Sequence, residues 1–175
     1  MDTTVAAWQE EIWQALKRAG VRQVAYVPDA GHAHLIRRAQ SDPGVRAIVL
    51  TTEEEGVALA AGAWLGGERA VLLMQSSGVG NCVNMFSLLA SGAFPFVALV
   101  TMRGEHEEFN PWQEPMGRAA QGAMEIMGVA VRRASDADRV KAIVEEALEA
   151  AFGSGERVAV LLSQSLLGRK EWVRK

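Results

Sequence analysis

The chain has 175 residues, 49% of them apolar and 22% charged, which is enough to bury a substantial core in one domain and shows no compositional sign of disorder. A net charge of −3 gives no general reason to expect nucleic acid or an acidic membrane surface as a partner. Cys82 is the single cysteine, which excludes an internal disulfide, fits a reducing cytoplasm and reads as a small buried hydrophobe rather than a nucleophile.

No basic-then-apolar leader opens the sequence, so no signal peptide is expected, and the longest apolar stretch, 57–67, is well short of the ~20 residues that span a bilayer. Thr4 is placed to cap a first helix whose apolar stripe, Val5, Trp8, Ile12, Leu16 and Ala19, steps by three and four towards Gly20. A strand is predicted over 21–27, stopped by Pro28-Asp29, then a short helix over 32–40 and a turn at Asp42-Pro43-Gly44. A second strand over 45–51 hands over to a helix rich in alanine and glycine that runs to Gly66-Gly67. The third strand, 69–75, has no polar alternation, as a strand buried on both faces reads.

Ser76 to Gly80 reads as a glycine-rich turn into a helix from about 81 to 92, followed by a fourth apolar strand over 94–101. The segment 103–115, with two prolines and five charged residues, reads as a long surface loop, and loops of that length in compact domains are commonly functional. A helix over 116–128, a short strand over 129–132, a capping box at Ser135-Asp-Ala-Asp138 opening a helix to Phe152, and a last strand over 157–163 complete the series. The basic stretch 168–175 reads as a solvated tail, on which Trp172 offers a docking group. Buried-type strands alternating with helices predict an α/β fold: one doubly wound, mainly parallel sheet with helices on both faces, in a single domain.

In such a sheet, sites form beyond the carboxyl ends of the strands, which singles out Pro28-Asp29, Glu53-Glu54-Glu55, Ser76 to Asn81, and Arg103 to His106. Ser77-Gly78-Val79-Gly80 has the strand, Gly-x-Gly, helix order of a dinucleotide fingerprint. It lacks the third glycine, Val83 standing there, and no Asp or Glu lies between Glu68 and Glu105. The segment is either a tight turn with capping groups or backbone that approaches a ligand closely, with Ser77, Asn81 and Asn84 beside it.

Thr52 and Glu55 match a capping box, and acids in a first turn suit the helix dipole. Glu53, however, shares a helical face with Val57, Ala60, Ala61 and Trp64, where a partly desolvated carboxylate suits proton relay. The small residues of that helix admit the close approach of another helix or subunit. His32, His34 and His106 are too few for an expected metal site, and a role for His32, His34, Arg103 or His106 in binding a substrate anion fits better. Trp8, Trp13 and Trp64 are expected in the core or at an interface.

Four segments in order, Val27-Pro28-Asp29, Thr52-Glu53-x-x-Gly-Val-Ala-Leu-Ala-Ala-Gly62, Gln75-Ser-Ser-Gly-Val-Gly-Asn81 and Pro95-Phe-Val-Ala-Leu-Val-Thr-Met-Arg-Gly104, resemble the pyrimidine-binding domain of thiamine-diphosphate enzymes. The later Pro111-Trp-Gln-Glu-Pro-Met-Gly117 is similar to the decarboxylase branch of that family, sulfopyruvate decarboxylase alpha subunits first and phosphonopyruvate decarboxylases next. The likeness covers nearly the whole chain, and its specificity lies in the ordered set rather than in any one motif.

The resemblance implies a glutamate that hydrogen-bonds the aminopyrimidine ring of thiamine diphosphate and so readies the thiazolium carbon to attack the keto carbon of a 2-oxo acid, which then loses carbon dioxide. Alignment to Gly62 makes that glutamate Glu53; the Glu-x-Gly pattern would make it Glu54. Pro28, Asp29, Ser77, Gly78, Gly80 and Asn81 are then expected around the cofactor, and His32, Gln75, Arg103 and His106 around the substrate. Gln75 departs from the histidine that some decarboxylases of the family carry.

The family's Gly-Asp-Gly and Asn-Asn motif for diphosphate and Mg²⁺ is missing, so the resemblance implies a separate beta subunit that holds both, and no metal ligand on this chain. The expected activity is decarboxylation of 3-sulfopyruvate by an alpha/beta hetero-oligomer in the cytoplasm, with a homo-oligomer as the alternative assembly when the chain is alone. The alternatives are a phosphonopyruvate decarboxylase or acetolactate-synthase-like subunit and, in another class, a non-catalytic binding or regulatory homologue.

Overall fold

The computed structural model describes residues 7–168, so the expected Thr4 cap, Val5 and the tail with Trp172 lie outside the described residues. Six strands, β1 (Val21–Tyr26), β2 (Arg46–Val49), β3 (Arg69–Gln75), β4 (Phe96–Thr101), β5 (Ala130–Ala134) and β6 (Arg157–Leu162), pair in parallel in the order β2-β1-β3-β4-β6-β5. The chain leaves β1 for β2 on one side and returns to β3 on the other, so the sheet is doubly wound and its direction switches between β1 and β3.

The apolar runs explain the layering. Alternate residues of β3, β4 and β6 point to opposite faces, and both faces are covered. Val71, Leu73, Val97, Leu99, Val158 and Val160 pack with α1 (Ala7–Arg18), α2 (Ala33–Ser41) and α7 (Ala137–Ser154). Leu72, Met74, Ala98, Val100, Ala159 and Leu161 pack with α3 (Glu53–Leu65), α4 (Ser76–Cys82), α5 (Phe86–Ser91) and α6 (Glu114–Ile126). The edge strands β2 and β5 carry the exposed positions. Trp8 and Trp13 lie in the core, whereas Trp64 is part-exposed and stacks on Phe152 at 6.4 Å.

Several expectations change. Ser76 to Cys82 is helix from its first residue rather than a turn, and the continuation breaks at 83–85 before α5. The 103–115 segment is shortened by a 3-10 turn, Pro111–Gln113, and by α6, which starts at Glu114 with Pro115 in its first turn, where a missing N–H costs nothing. Asp136, not Ser135, caps α7, accepting from the Asp138 N–H at 3.0 Å, while the Ser135 hydroxyl meets that of Ser163 at 2.8 Å. A last short helix, α8 (Gln164–Leu167), follows β6.

Candidate active site

Thr52 is extended and α3 begins immediately after it, so Glu53 opens the helix with its side chain turned inward, 8% exposed. Its Oε2 accepts from Asn81 Nδ2 at 2.8 Å. A Cβ placed on Gly78 would stand 2.4 Å from the Glu53 carboxyl carbon, so the carboxylate fills the space that any side chain at 78 would need. Among the described residues Oε1 has no hydrogen-bond partner, which leaves one acceptor of a buried carboxylate for a ligand.

Glu54 and Glu55 face solvent. The expected capping box is replaced by a variant: the Thr52 side chain caps nothing, and Glu55 Oε2 instead accepts from the Thr51 N–H at 2.8 Å. Gly80 faces Met116 of α6, whose Sδ would be 3.4 Å from a Cβ there. Burial, with the nearby charges of Glu53 and Glu54, pushes the Cys82 thiol up to about 12, so Cys82 is a buried apolar side chain and no thiolate.

Beyond the switch point a second group gathers around Asp29. Asp29 Oδ2 accepts from Thr101 Oγ1 at 2.7 Å and from the Gly31 N–H at 3.1 Å, and Oδ1 accepts from Gln75 Nε2 at 3.2 Å. Ser77 Oγ donates to Gln75 Oε1 at 3.0 Å. One carboxylate therefore ties together the carboxyl ends of β1, β3 and β4, with Pro28 exposed just before it. Thr101 was not singled out from sequence, although a hydroxyl closing an all-apolar strand was its available signal.

The histidines part company. His32 is 1% exposed and its Nε2–H donates to the carbonyls of Met74 (3.2 Å) and Leu99 (3.0 Å). Burial lowers its pKa against the opposing pull of Asp29 and the two carbonyls, so it is a neutral tie between β3 and β4 that faces into the fold. His34 pairs with Glu10 at 2.8 Å and joins α2 to α1. His106 is exposed, its backbone N–H donating to Gln164 Oε1 at 3.2 Å. Among the described residues no three His, Cys, Asp or Glu side chains gather into a cation site.

Arg103 closes the group. Its backbone N–H donates to Ser76 Oγ at 3.1 Å, and its guanidinium forks onto Glu108, a residue that the sequence did not single out. Arg103 and Gln164 line a cavity of about 80 Å³ whose other wall is Asp29, Gly31 and Thr101. The site thus has two parts, a Glu53–Gly78–Asn81 corner and an Asp29–Thr101–Arg103–Gln164 pocket that Gln75 braces through Asp29, linked by the first turn of α4.

The chain matches the family described as thiamine pyrophosphate enzyme, N-terminal TPP binding domain, over residues 8–125. Sulfopyruvate decarboxylase subunit alpha of Methanothermobacter thermautotrophicus is 32% identical over 157 residues, covering 89% of this chain and 95% of that one. The Methanococcus maripaludis protein of the same name is 30% identical, covering 87% and 92%. Phosphonopyruvate decarboxylase of Streptomyces viridochromogenes is 40% identical over 109 residues, 61% of this chain but 28% of that one. Among solved structures, 2-oxoglutarate:ferredoxin oxidoreductase from Magnetococcus marinus superposes with a TM-score of 0.70 over 92% of this chain and 29% of that one; at 13% identity this is a likeness of fold. The chain belongs to the thiamine pyrophosphate enzyme family and represents its N-terminal, TPP-binding domain. It matches both of these sulfopyruvate decarboxylase alpha subunits over nearly their full length.

Proposed function

We propose that this chain is the alpha subunit of a decarboxylase that uses thiamine diphosphate and Mg²⁺, takes 3-sulfopyruvate as its favoured substrate, and depends on a beta subunit to bind the diphosphate and metal. The observation that carries the reading is the Glu53 carboxylate, buried at the start of α3, seated on the side-chain-free face of Gly78 and held through one oxygen by Asn81. The cofactor, when bound, supplies the electron sink for loss of carbon dioxide. Glu53 is the residue of this chain fitted to hold it, because Oε1 is an acceptor aimed from a partly dehydrated site where hydrogen bonds to a charged group are strong. Asn81 fixes the rotamer of that carboxylate, and the Asp29 carboxylate, clamped by Thr101, Gln75 and Gly31, puts a second negative group beside the pocket where Arg103 stands.

The names of the near full-length relatives support the substrate and the two-subunit arrangement. Higher identity over a shorter span favours phosphonopyruvate as the second reading. The test is reconstitution with a beta subunit, thiamine diphosphate and Mg²⁺, assaying 3-sulfopyruvate, phosphonopyruvate and pyruvate. Glu53→Gln is expected to lower kcat by ~10²–10⁴-fold, the range for a lost proton-relay group, and Glu54→Gln to leave it near wild type. Full activity of Glu53→Gln would remove the assignment. A stable complex that turns over none of the three acids would favour a non-catalytic homologue.

A further inference from the structure

Five donors converge on the Glu108 carboxylate. Arg103 contributes Nε, 2.7 Å from Oε2, and Nη2 to Oε1. The Gly104 N–H reaches Oε2 at 3.2 Å, the Asn110 N–H reaches Oε1 at 3.0 Å, and Gln164 Nε2 reaches Oε2 at 3.1 Å. Four of the five lie outside the 105–110 strap: the planar guanidinium fork, the Gly104 N–H and the Gln164 amide together form a receptor for a small oxyanion, while the Asn110 N–H travels with Glu108. Here the chain's own carboxylate fills it. Arg103 and Gln164 are at the same time the wall of the 80 Å³ cavity beside Asp29. One water needs roughly 10–15 Å³ of such space, so the cavity has room for an acid group of a few heavy atoms.

The receptor and its occupant are anchored differently. The Arg103 N–H is tied to Ser76, and a Cβ on Gly117 would stand 2.1 Å from Arg103 O, so α6 packs hard against the backbone at 103. The strap that carries Glu108 is exposed over 105–107, where Gln164 Oε1 accepts from the N–H groups of Glu105 and His106 and Glu105 pairs with Arg133 and accepts from the Gln164 N–H; further along, the Phe109 ring lies 5.2 Å from the Arg103 guanidinium. The outer exposed pairs are weak, so the Glu108 fork and the Phe109 contact are what an entering anion has to displace.

We infer that Glu108 is a tethered stand-in for the acid group of the substrate, and that a sulfonate displaces it from Arg103 and Gln164 as the 105–110 strap swings outward. The sulfonate identity rests on the decarboxylase reading; the anion receptor does not. Glu108 then sets specificity, because an entering group must outcompete a fully hydrogen-bonded carboxylate for Arg103, and a 2-oxo acid without a second acid group has nothing to do so with.

Trp112, 84% exposed at the end of the strap, is a built-in reporter. Methanesulfonate is titrated into the full chain at constant ionic strength, following tryptophan emission and proteolysis of the strap, with Trp112→Phe to assign the signal. The expected result is a saturable response that exposes the strap, at least ~10-fold tighter in Glu108→Gln, where the charged competitor is gone, and absent in Arg103→Gln. Unchanged or weaker binding by Glu108→Gln would overturn the inference, leaving Glu108 to position Arg103, and so would the lack of a saturable response in wild type. Glu105→Gln, which removes the charge that pairs with Arg133 and so weakens the hold on the strap while leaving the Arg103 fork in place, covers the case in which Glu108→Gln fails to fold. It is expected to tighten binding by a smaller factor, and no tightening counts against the inference. Methanesulfonate binding as expected, with no turnover of any of the three 2-oxo acids by the reconstituted complex, would sink the decarboxylase reading and leave the receptor standing.

Discussion

Gly78 and Glu53 share one space, since a methyl group at 78 would stand 2.4 Å from the Glu53 carboxyl carbon. Alanine favours a helix over glycine by ~1 kcal/mol, so helix propensity alone would make Gly78→Ala a stabilising change. The clash decides otherwise, because α4 is packed on the sheet and the carboxylate is what must move, away from Asn81. A misplacement of about 1 Å is enough to cost roughly 10²-fold in rate. Gly78→Ala is therefore expected to lower kcat of the reconstituted complex by about that factor while its circular dichroism stays that of wild type. An active Gly78→Ala enzyme would show that the carboxylate position does not matter, which the proposed role of Glu53 does not permit.

At the scale of elements, α3 presents two glycines with opposite surroundings. A Cβ at Gly56 would stand 2.4 Å from Leu72 Cδ1 and 2.9 Å from Leu50 Cδ1, whereas at Gly62 nothing lies within 4 Å. Gly56→Ala is expected to destabilise the chain by ~1–3 kcal/mol through overpacking, and Gly62→Ala to stabilise it by ~0.5–1 kcal/mol through the unfolded state. Urea denaturation measures both, and shifts of the same sign would contradict this orientation of the helix. Its inward face, with Glu53 in and Glu54 out, was legible because Val57, Ala60 and Ala61 mark it at helical spacing. Strands β3 and β4 were legible for a similar reason: buried on both faces, they carry unbroken apolar runs. Helix α4 was not, because Gly78 and Gly80 signal a turn locally and become helical only where Glu53 and Met116 pack against them. The Asp29 clamp was half legible. Asp29 and Gln75 sit at predicted strand ends, but Thr101 joins them across 72 residues only once the sheet order is known. Glu108 and Gln164 lie on stretches without periodicity, 56 residues apart, and nothing in either stretch announces the contact.

The response of the whole molecule to acid is led by two buried groups that the fold holds in opposite charge states. His32 is kept neutral, chiefly by burial, below the ordinary imidazole value of 6.5. As pH falls under about 6.5 the unfolded chain takes up a proton that the native chain refuses, so stability present above that value is lost, by up to about 1.4 kcal/mol per pH unit. For Glu108, burial alone would raise the carboxyl, but hydrogen bonds from Arg103 and the Asn110 and Gly104 N–H groups outweigh it and hold the pKa at about 2, down from 4.5. Its contribution is complete above about 4.5 and drains away as pH falls towards 2. Thermal unfolding followed from pH 7.5 to 3 is therefore expected to show two successive declines in Tm. His32→Gln, whose amide nitrogen can donate to the same carbonyls of Met74 and Leu99 but does not titrate in this range, should flatten the first decline even if its Tm is lower throughout. Glu108→Gln should shrink the second, leaving the part due to Glu10 and Asp42, whose carboxyls are also held below their ordinary values, and should leave the first. A His32→Gln variant that keeps the wild-type slope between pH 6.5 and 5 would mean that the acid sensitivity resides elsewhere, and that the buried imidazole is no part of it.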